Sequence, residues 1–194
     1  MEMMTRFASR SLLFSALSAV ALAGALTVAA CDKKEAAQSE ATAVDVKAIF
    51  TDPTAAQLAE AAAAGDSAKI ASLVQGGANP SAIGDKGTSL LQWAMLNKNK
   101  AGMEALLTAG ADTSHTDESG DTIMLYAAKA NDPAYLDILL AHKVDVVTPN
   151  PVSGMTPLIA SIFGERDVQF HKLIAAGANV NQADRFGNTP LHMA

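Results

Sequence analysis

The sequence predicts an all-α solenoid of helix–loop–helix repeats joined by hairpin-like turns. The first observation is a period of 33 or 34 residues, marked by Gly87, Gly120, Gly154 and Gly187. The second is that every period carries apolar residues at spacings of i, i+3 and i+4, which place them on one face of a helix. The third is a hydroxyl residue two positions after each marker glycine, where it can cap another helix. Units of this length stack, because one unit alone cannot bury its apolar face.

The first helix of each unit begins after the hydroxyl residue. The four capping residues are Ser89, Thr122, Thr156 and Thr189. Proline follows the last two caps, at the first helical position, where its missing N–H costs nothing. Five positions after each cap there is a small residue, and the four are Ala94, Ala127, Ser161 and Ala194. Small residues let helices approach closely, which agrees with a composition of 49% hydrophobic but only 5% aromatic residues.

The second helix of each unit ends at a second periodic mark. Gly77, Gly110 and Gly177 occupy this mark in three units and suit the left-handed conformation that follows a helix. Lys143 takes the position in the remaining unit, so that helix lacks its usual glycine. The hairpin after Lys143, over 146–153, has one extra residue and two prolines, and we expect it to project differently from its neighbours.

These units resemble the ankyrin repeat. The resemblance is fullest in Thr189-Pro190-Leu191-His192 and in Gly177-Ala178-Asn179-Val180-Asn181. It implies an ankyrin domain over 53–194 with about four and a half repeats: 54–83, 84–116, 117–150, 151–183 and a partial 184–194. The fifth unit stops within its first helix, so we expect the chain to be a fragment or truncated relative to its relatives. The resemblance also implies a structural role for His192, whose equivalent typically bonds to nearby backbone.

The N-terminal 30 residues have the layout of a secretory signal. Two arginines precede an apolar run that ends in Val28-Ala29-Ala30-Cys31. A transmembrane anchor is the alternative, but this tetrapeptide resembles the lipobox of bacterial lipoproteins. The resemblance implies cleavage before Cys31, acylation of that cysteine, and a protein anchored in the cell envelope and facing the periplasm. Asp32 resembles the signal that retains lipoproteins in the inner membrane.

Residues 31–52 are predicted to form the lipidated start and a flexible tether. The segment is rich in alanine and small polar or charged residues. Four apolar residues near its end, Val44, Val46, Ile49 and Phe50, interrupt this pattern. We expect these four to pack on the first repeat.

Composition and motifs argue against catalysis. A net charge of −6 disfavours a nucleic-acid partner, which would need clustered cations. One cysteine excludes an internal disulfide, and His115 has no second histidine at metal-ligand spacing. No phosphate-binding glycine loop or nucleophile elbow is present. We therefore expect no enzyme activity, no cofactor, no metal and no small-molecule substrate. Trp93 is interpreted as a core residue in preference to a ligand anchor.

The expected function is to bind another protein. In ankyrin proteins, partners usually dock on hairpin tips and first helices, and this implies binding positions for the present chain. The candidates are Lys86, Asp121, Val152, Met155, Phe163, Arg185 and Phe186. Four of them are apolar and could form one hot spot, or could instead pack on each other or under a completed fifth repeat.

Two partner-binding roles remain open, together with one alternative that involves no specific partner. The chain could be an immunity-type inhibitor of a toxin, or a scaffold that holds a periplasmic partner at the membrane. The rival is a structural envelope lipoprotein that self-associates through its repeat ends and has no specific partner of another kind.

Overall fold

The folded region is a stack of helix pairs. The computed structural model describes residues 46–193, and the predicted signal and Cys31 lie outside them. The helices are α1 Val46–Ile49, α2 Pro53–Ala64, α3 Ser67–Gln75, α4 Leu90–Leu96, α5 Lys100–Thr108, α6 Ile123–Lys129, α7 Ala134–Ala141, α8 Pro157–Phe163, α9 Asp167–Ala175 and α10 Pro190–Met193. Within the described residues there is no strand, only one isolated bridge between Ile83 and Ser89. The all-helical solenoid is confirmed.

The predicted hydroxyl caps begin three of the first helices. Ser89 accepts the N–H of Gln92 at 3.2 Å, and the Gln92 side chain accepts the Ser89 N–H at 2.7 Å, which completes a capping box. Thr122 and Thr156 cap α6 and α8 with one bond each, accepting the N–H groups of Leu125 and Ile159. Each cap satisfies an N–H that the helix itself leaves unpaired, and so fixes where the helix starts.

The second helices that are followed by glycine end as predicted, and the one that lacks glycine ends in the same conformation. Gly77, Gly110 and Gly177 have φ values of 94°, 85° and 92°. Lys143 takes the same left-handed conformation, with φ at 58°. Its N–H donates to Leu140 at 3.0 Å, so the helix terminus closes although a Cβ is present.

Phe50 and Trp93 close the N-terminal end of the core. Phe50 is 1% exposed and packs edge-on against Trp93, with ring centroids 5.9 Å apart. Trp93 is buried, as interpreted from the sequence, and its Nε1–H donates to the Ala59 carbonyl at 3.0 Å. Helix α1 lies against α2. Val46, Ile49 and Phe50, at the end of the segment 31–52, thus pack on the first repeat, as expected from the sequence. Val44 lies outside the described residues.

Hydrogen bonds join each repeat to the main chain of the repeat before it. Asn99 donates to the Ala63 carbonyl at 2.9 Å, one repeat back. In the last complete repeat, Arg166 Nε donates to the Lys129 carbonyl at 3.1 Å. Gln169 donates to the next carbonyl, that of Ala130, at 2.6 Å. These bonds set the register between neighbouring repeats.

Two helices approach closely at Gly102 in α5. A Cβ built at this position would lie 1.9 Å from the Ala62 carbonyl oxygen of α2. Only the absence of a side chain permits this contact, so Gly102 fixes how closely the first two repeats pack.

None of the described helices is long and apolar enough to span a membrane.

Candidate functional site

A groove lies between the second and third repeats, on the side of the first helices. Its volume is about 530 Å³. We call it the inner groove and define it by eight of its lining residues: Met95, Leu96, Lys98 and Lys100 from the second repeat, and Asp117, Tyr126, Asp132 and Tyr135 from the third. Helices α4 and α6 supply its floor, while the loops after α4 and α6 supply its rim.

A saturated carboxylate lies at one end of the inner groove. Asp117 Oδ2 accepts the Tyr126 hydroxyl at 2.6 Å and the Gln92 amide at 3.2 Å. Asp117 Oδ1 accepts the backbone N–H groups of Ser119 and Asp121, at 2.9 Å and 3.0 Å. Burial works against ionisation of this carboxyl, but the hydrogen bonds outweigh burial, so the pKa of Asp117 lies below its usual value. Asp117 therefore holds the hairpin on the helices and has little capacity left for a ligand.

An ion pair crosses the other end of the inner groove. Lys100 Nζ lies 2.6 Å from Asp132 Oδ2, and it also lies 5.9 Å from the centre of the Tyr135 ring. The hydrogen bond from Lys100 lowers the pKa of the Asp132 carboxyl, and the same bond raises the pKa of Lys100. Asp132 Oδ1 accepts the Ala134 N–H at 3.0 Å, at the start of α7. Both ends of this pair are thus engaged within the protein.

Leu96 and Lys98 are the exposed part of the groove. Leu96 is 66% exposed at the last position of α4, although Met95 beside it packs against the core. Lys98 is exposed in the following loop with φ at 56°, a left-handed conformation that a side chain makes costly. Among the described residues, no acidic side chain pairs with Lys98.

Three of the predicted binding residues are strongly exposed apolar side chains. Val152 is 55% exposed, Phe163 59% and Phe186 82%. Met155, the fourth apolar candidate, is only partly exposed and packs against the core. Phe163 ends α8, and its position is about 9 Å along the helix axis from Pro157, given the rise of an α-helix. The exposed candidates are thus spread along the helix and the hairpins.

The polar candidates have different surroundings. Lys86 is exposed at a hairpin tip with φ at 55°. Asp121 is engaged twice, by Lys129 Nζ at 2.5 Å and by the Asn150 amide at 2.8 Å. Arg185 joins two hairpins: its backbone N–H donates to Ser153 at 3.0 Å, and its guanidinium donates to the Pro151 carbonyl at 3.3 Å. Asp121 and Arg185 therefore support the hairpins as well as lying on the candidate surface.

The long hairpin over 146–153 is tied to its neighbour by Asn150. This buried residue donates to the Ser119 carbonyl at 2.9 Å and accepts the N–H groups of Val152 and Ser153. Asn150 therefore does in this hairpin what Asp117 does in the preceding one. The extra residue is accommodated between Asn150 and Gly154.

The histidines make structural contacts. His115 Nε2 lies 2.8 Å from the Gly87 carbonyl oxygen, one hairpin back, so its ring is engaged rather than simply solvated. His192 Nδ1 lies 3.2 Å from the Thr189 backbone nitrogen. No group of three or more potential metal-ligating side chains occurs within residues 46–193.

Sequence reasoning missed most of the inner groove. Lys98 lies in the loop between the paired helices and Lys100 begins α5, and the family pattern marks neither position as partner-facing. No sequence pattern distinguished Tyr126 and Tyr135 from the other residues of their helices. One feature of the sequence could have drawn attention to Lys98. It lies 33 residues after Gly65, so a lysine occupies a position where another repeat has glycine.

Comparisons with known proteins agree with this fold. A model of ankyrin repeats, three copies long, matches residues 58–150 and 91–184. Protein PhlB of Serratia liquefaciens is 39% identical over 111 residues, which are 57% of this chain and 49% of that protein. A putative ankyrin repeat protein, L271 of Acanthamoeba polyphaga mimivirus, is 32% identical over 138 residues, 63% of this chain and 19% of the relative. The chain thus spans less than half the length of each of these relatives.

Proposed function

Because this chain belongs to the ankyrin-repeat family, we propose that it binds another protein in the bacterial envelope and holds or inhibits that partner there. Ankyrin repeats are protein-interaction modules, and they are typically not enzymes. The single observation that carries the proposal is the inner groove, in which Leu96 is exposed beside a rigid, hydrogen-bonded frame.

The frame suits binding because bonds within the chain hold it in place. Asp117 fixes the hairpin to α6, and the Lys100–Asp132 pair fixes the loops at the other end. A surface that is ordered in advance loses little conformational entropy when a partner docks. The exposed side chains of Val152, Phe163 and Phe186 extend the same type of surface towards the fourth and fifth units.

Membrane anchoring at Cys31 is the second part of the proposal. The apolar run and the tetrapeptide that ends in Cys31 support it, and Asp32 favours the inner membrane. A diacylated cysteine would hold the domain at the membrane surface, because two acyl chains give stable anchoring where one does not. Mass spectrometry of the N-terminal peptide from the envelope fraction tests this part. An unmodified Cys31 in an uncleaved chain would contradict it.

Affinity capture from the native envelope tests partner binding. The full-length tagged protein is compared with Leu96→Ser, Phe163→Ser and Val168→Ser. Val168 is the matched control, since it is 51% exposed but lies on α9, a second helix. We expect one partner protein in stoichiometric amount with the parent chain and Val168→Ser, and weaker capture with Leu96→Ser or Phe163→Ser. Equal capture by all four proteins would show that these side chains do not form the binding surface.

The partner's identity then separates the two roles. A captured toxin whose activity falls on binding would make the chain an immunity-type inhibitor. A captured resident envelope protein with unchanged activity would make it a scaffold.

Self-association is the second candidate. The side chains of Phe163 and Phe186, 59% and 82% exposed, could be covered by a second copy of the chain instead of by another protein. Sedimentation over a wide concentration range, with Phe163→Ser beside the parent chain, tests it. Behaviour independent of concentration would exclude self-association.

A further inference from the structure

We propose that the inner groove binds a short segment of the partner in which a leucine-like side chain is followed closely by Asp or Glu, with the carboxylate pairing with Lys98. This inference rests on the proposed function and adds the chemistry of the segment that is recognised. It rests on the difference between the groups in the groove that already have hydrogen-bond or ion-pair partners and the groups that do not.

The apolar part of the segment is indicated by Leu96. Its side chain is 66% exposed at the groove, while Met95 and Ala130 near it are partly buried against the core. The Tyr126 ring also lines the groove, and its hydroxyl is already bonded to Asp117. An apolar side chain placed here would bury the exposed part of Leu96 without separating any polar group from its partner. A polar side chain would find few free hydrogen-bonding groups.

The acidic part is indicated by the charges of the groove. Both oxygens of Asp117 already accept two hydrogen bonds each. Asp132 accepts from Lys100 with one oxygen and from the Ala134 N–H with the other. Of the two lysines that line the groove, Lys100 pairs with Asp132 and Lys98 has no acidic partner among residues 46–193. A basic segment would therefore meet saturated carboxylates, whereas an acidic one would meet an available ammonium group.

The loop presents Lys98 in one backbone arrangement. The Lys98 N–H donates to the Met95 carbonyl at 2.9 Å, and the Asn99 N–H donates to the Ala94 carbonyl at 2.9 Å. The Asn97 side chain donates to the Trp93 carbonyl at the same distance. These bonds hold Lys98 at a left-handed φ of 56° beside Leu96. Leu96 and Lys98 thus lie two residues apart in the chain. The leucine-like side chain and the carboxylate of the bound segment must therefore also lie close together.

The experiment uses two capped peptides of defined sequence, acetyl-Ala-Leu-Glu-Ala-amide and acetyl-Ala-Leu-Gln-Ala-amide. Each is titrated into the isotopically labelled full-length chain, and amide chemical shifts are followed by NMR. We expect shifts at Leu96, Lys98 and Tyr126. We also expect the Glu peptide to bind about threefold more tightly than the Gln peptide, the size of a surface ion-pair effect. Added salt should reduce this difference.

The Lys98→Gln variant should abolish the preference for Glu, while Lys143→Gln should keep it. Lys143 is the matched control, because it is an exposed lysine with φ at 58° and lies at the end of α7, outside the groove. Urea unfolding of each variant checks that the variant is folded before the peptide is added.

Three results would overturn the inference. They are equal affinity for the two peptides, shifts that map away from the groove, or no binding of either peptide up to its solubility limit. Failure here is distinct from failure of the proposed function. If the envelope partner is lost in Leu96→Ser but retained by Lys98→Gln, the charge preference is wrong while protein binding stands.

Discussion

The Tyr126 hydroxyl donates to Asp117 across 2.6 Å, from the middle of α6 to the hairpin that precedes it. The two residues belong to the same repeat, but Gln92 of the repeat before donates to the same oxygen of Asp117. One carboxylate oxygen therefore joins a helix, a hairpin and the neighbouring repeat. The floor of the inner groove depends on this arrangement.

Replacing Tyr126 with Phe should lower the free energy of unfolding by about 1–2 kcal/mol, because a hydrogen bond to a charged group is lost. Burial and the bond to Asp117 both raise the pKa of the Tyr126 hydroxyl, so it donates at any ordinary pH. Urea unfolding followed by circular dichroism measures the change. Tyr135→Phe is the control, because within the described residues the Tyr135 hydroxyl makes no hydrogen bond. If both variants lose the same stability, the Asp117 bond is not the cause.

Acid should destabilise the domain. Six aspartates have a pKa below the usual value: Asp52, Asp112, Asp117, Asp132, Asp145 and Asp184. A carboxyl whose pKa is lower in the folded state stabilises fully above its unfolded pKa, near 4, and this contribution is lost as the pH falls through the folded value. The urea midpoint should therefore be lower at about pH 3 than at about pH 6. An unchanged midpoint would contradict the prediction.

Asp112→Asn should remove part of this acid sensitivity and keep the turn. The Ser114 hydroxyl and N–H bond to Asp112 and lower its pKa. Asn79 and Asn179 occupy the equivalent positions and accept the same backbone bond, at 2.9 Å and 3.0 Å. We expect the variant to match the parent near pH 3 more closely than near pH 6. Urea midpoints across the pH series measure this. A slope identical to that of the parent would show that Asp112 does not contribute.

Gly102→Ala should destabilise the protein by about 2 kcal/mol, because the added Cβ would overlap the Ala62 carbonyl oxygen. Helix propensity alone predicts the opposite sign, since alanine favours a helix by about 1 kcal/mol over glycine. Thermal unfolding shows directly whether the variant is more or less stable than the parent chain. Ala101→Gly, at the exposed neighbouring position, measures the propensity effect in the same helix. A stabilised Gly102→Ala variant would mean that the helices separate at little cost.

Lys143→Gly should stabilise the protein by about 0.5–1 kcal/mol, because φ at 58° is costly for a residue with a Cβ. Glycine already occupies this position in three other repeats. Lys143→Ala separates the backbone effect from the loss of the lysine chain, and should bring no gain. Denaturant midpoints of the two variants test this. Equal stabilisation by both would assign the effect to the side chain instead.

The period predicts the helices well because the same local rules act in every repeat. Ser89, Thr122 and Thr156 cap the helices that the pattern assigns to them. The conformation of Lys143 shows that the stacked helices impose the left-handed terminus even where the sequence lacks glycine. Tertiary packing here outweighs local preference.

The inner groove was harder to predict because it depends on contacts across repeats. The engagement of Asp117 by Gln92 joins residues 25 positions apart, and no spacing rule within one repeat reveals it. Asn150 lies 33 residues after Asp117, but its bonds reach Ser119 and Asp121 in the preceding hairpin, and no local pattern reveals them. The sequence indicated that Asp121 is free to contact a partner, but its carboxylate already binds the side chains of Lys129 and Asn150.

Four of the hydrogen bonds between repeats run in the same direction, and this bears on how the sequence can change. The side chains of Trp93, Asn99, Arg166 and Gln169 donate, and each acceptor is a carbonyl of the preceding repeat. Every residue type supplies that carbonyl, so mutation at the accepting positions preserves the bond while mutation at the donating ones removes it. In these four bonds, selection therefore acts on the donating residue, while the accepting position in the repeat before it remains open to change. The bond from Gln92 to Asp117 differs, because both of its partners are side chains.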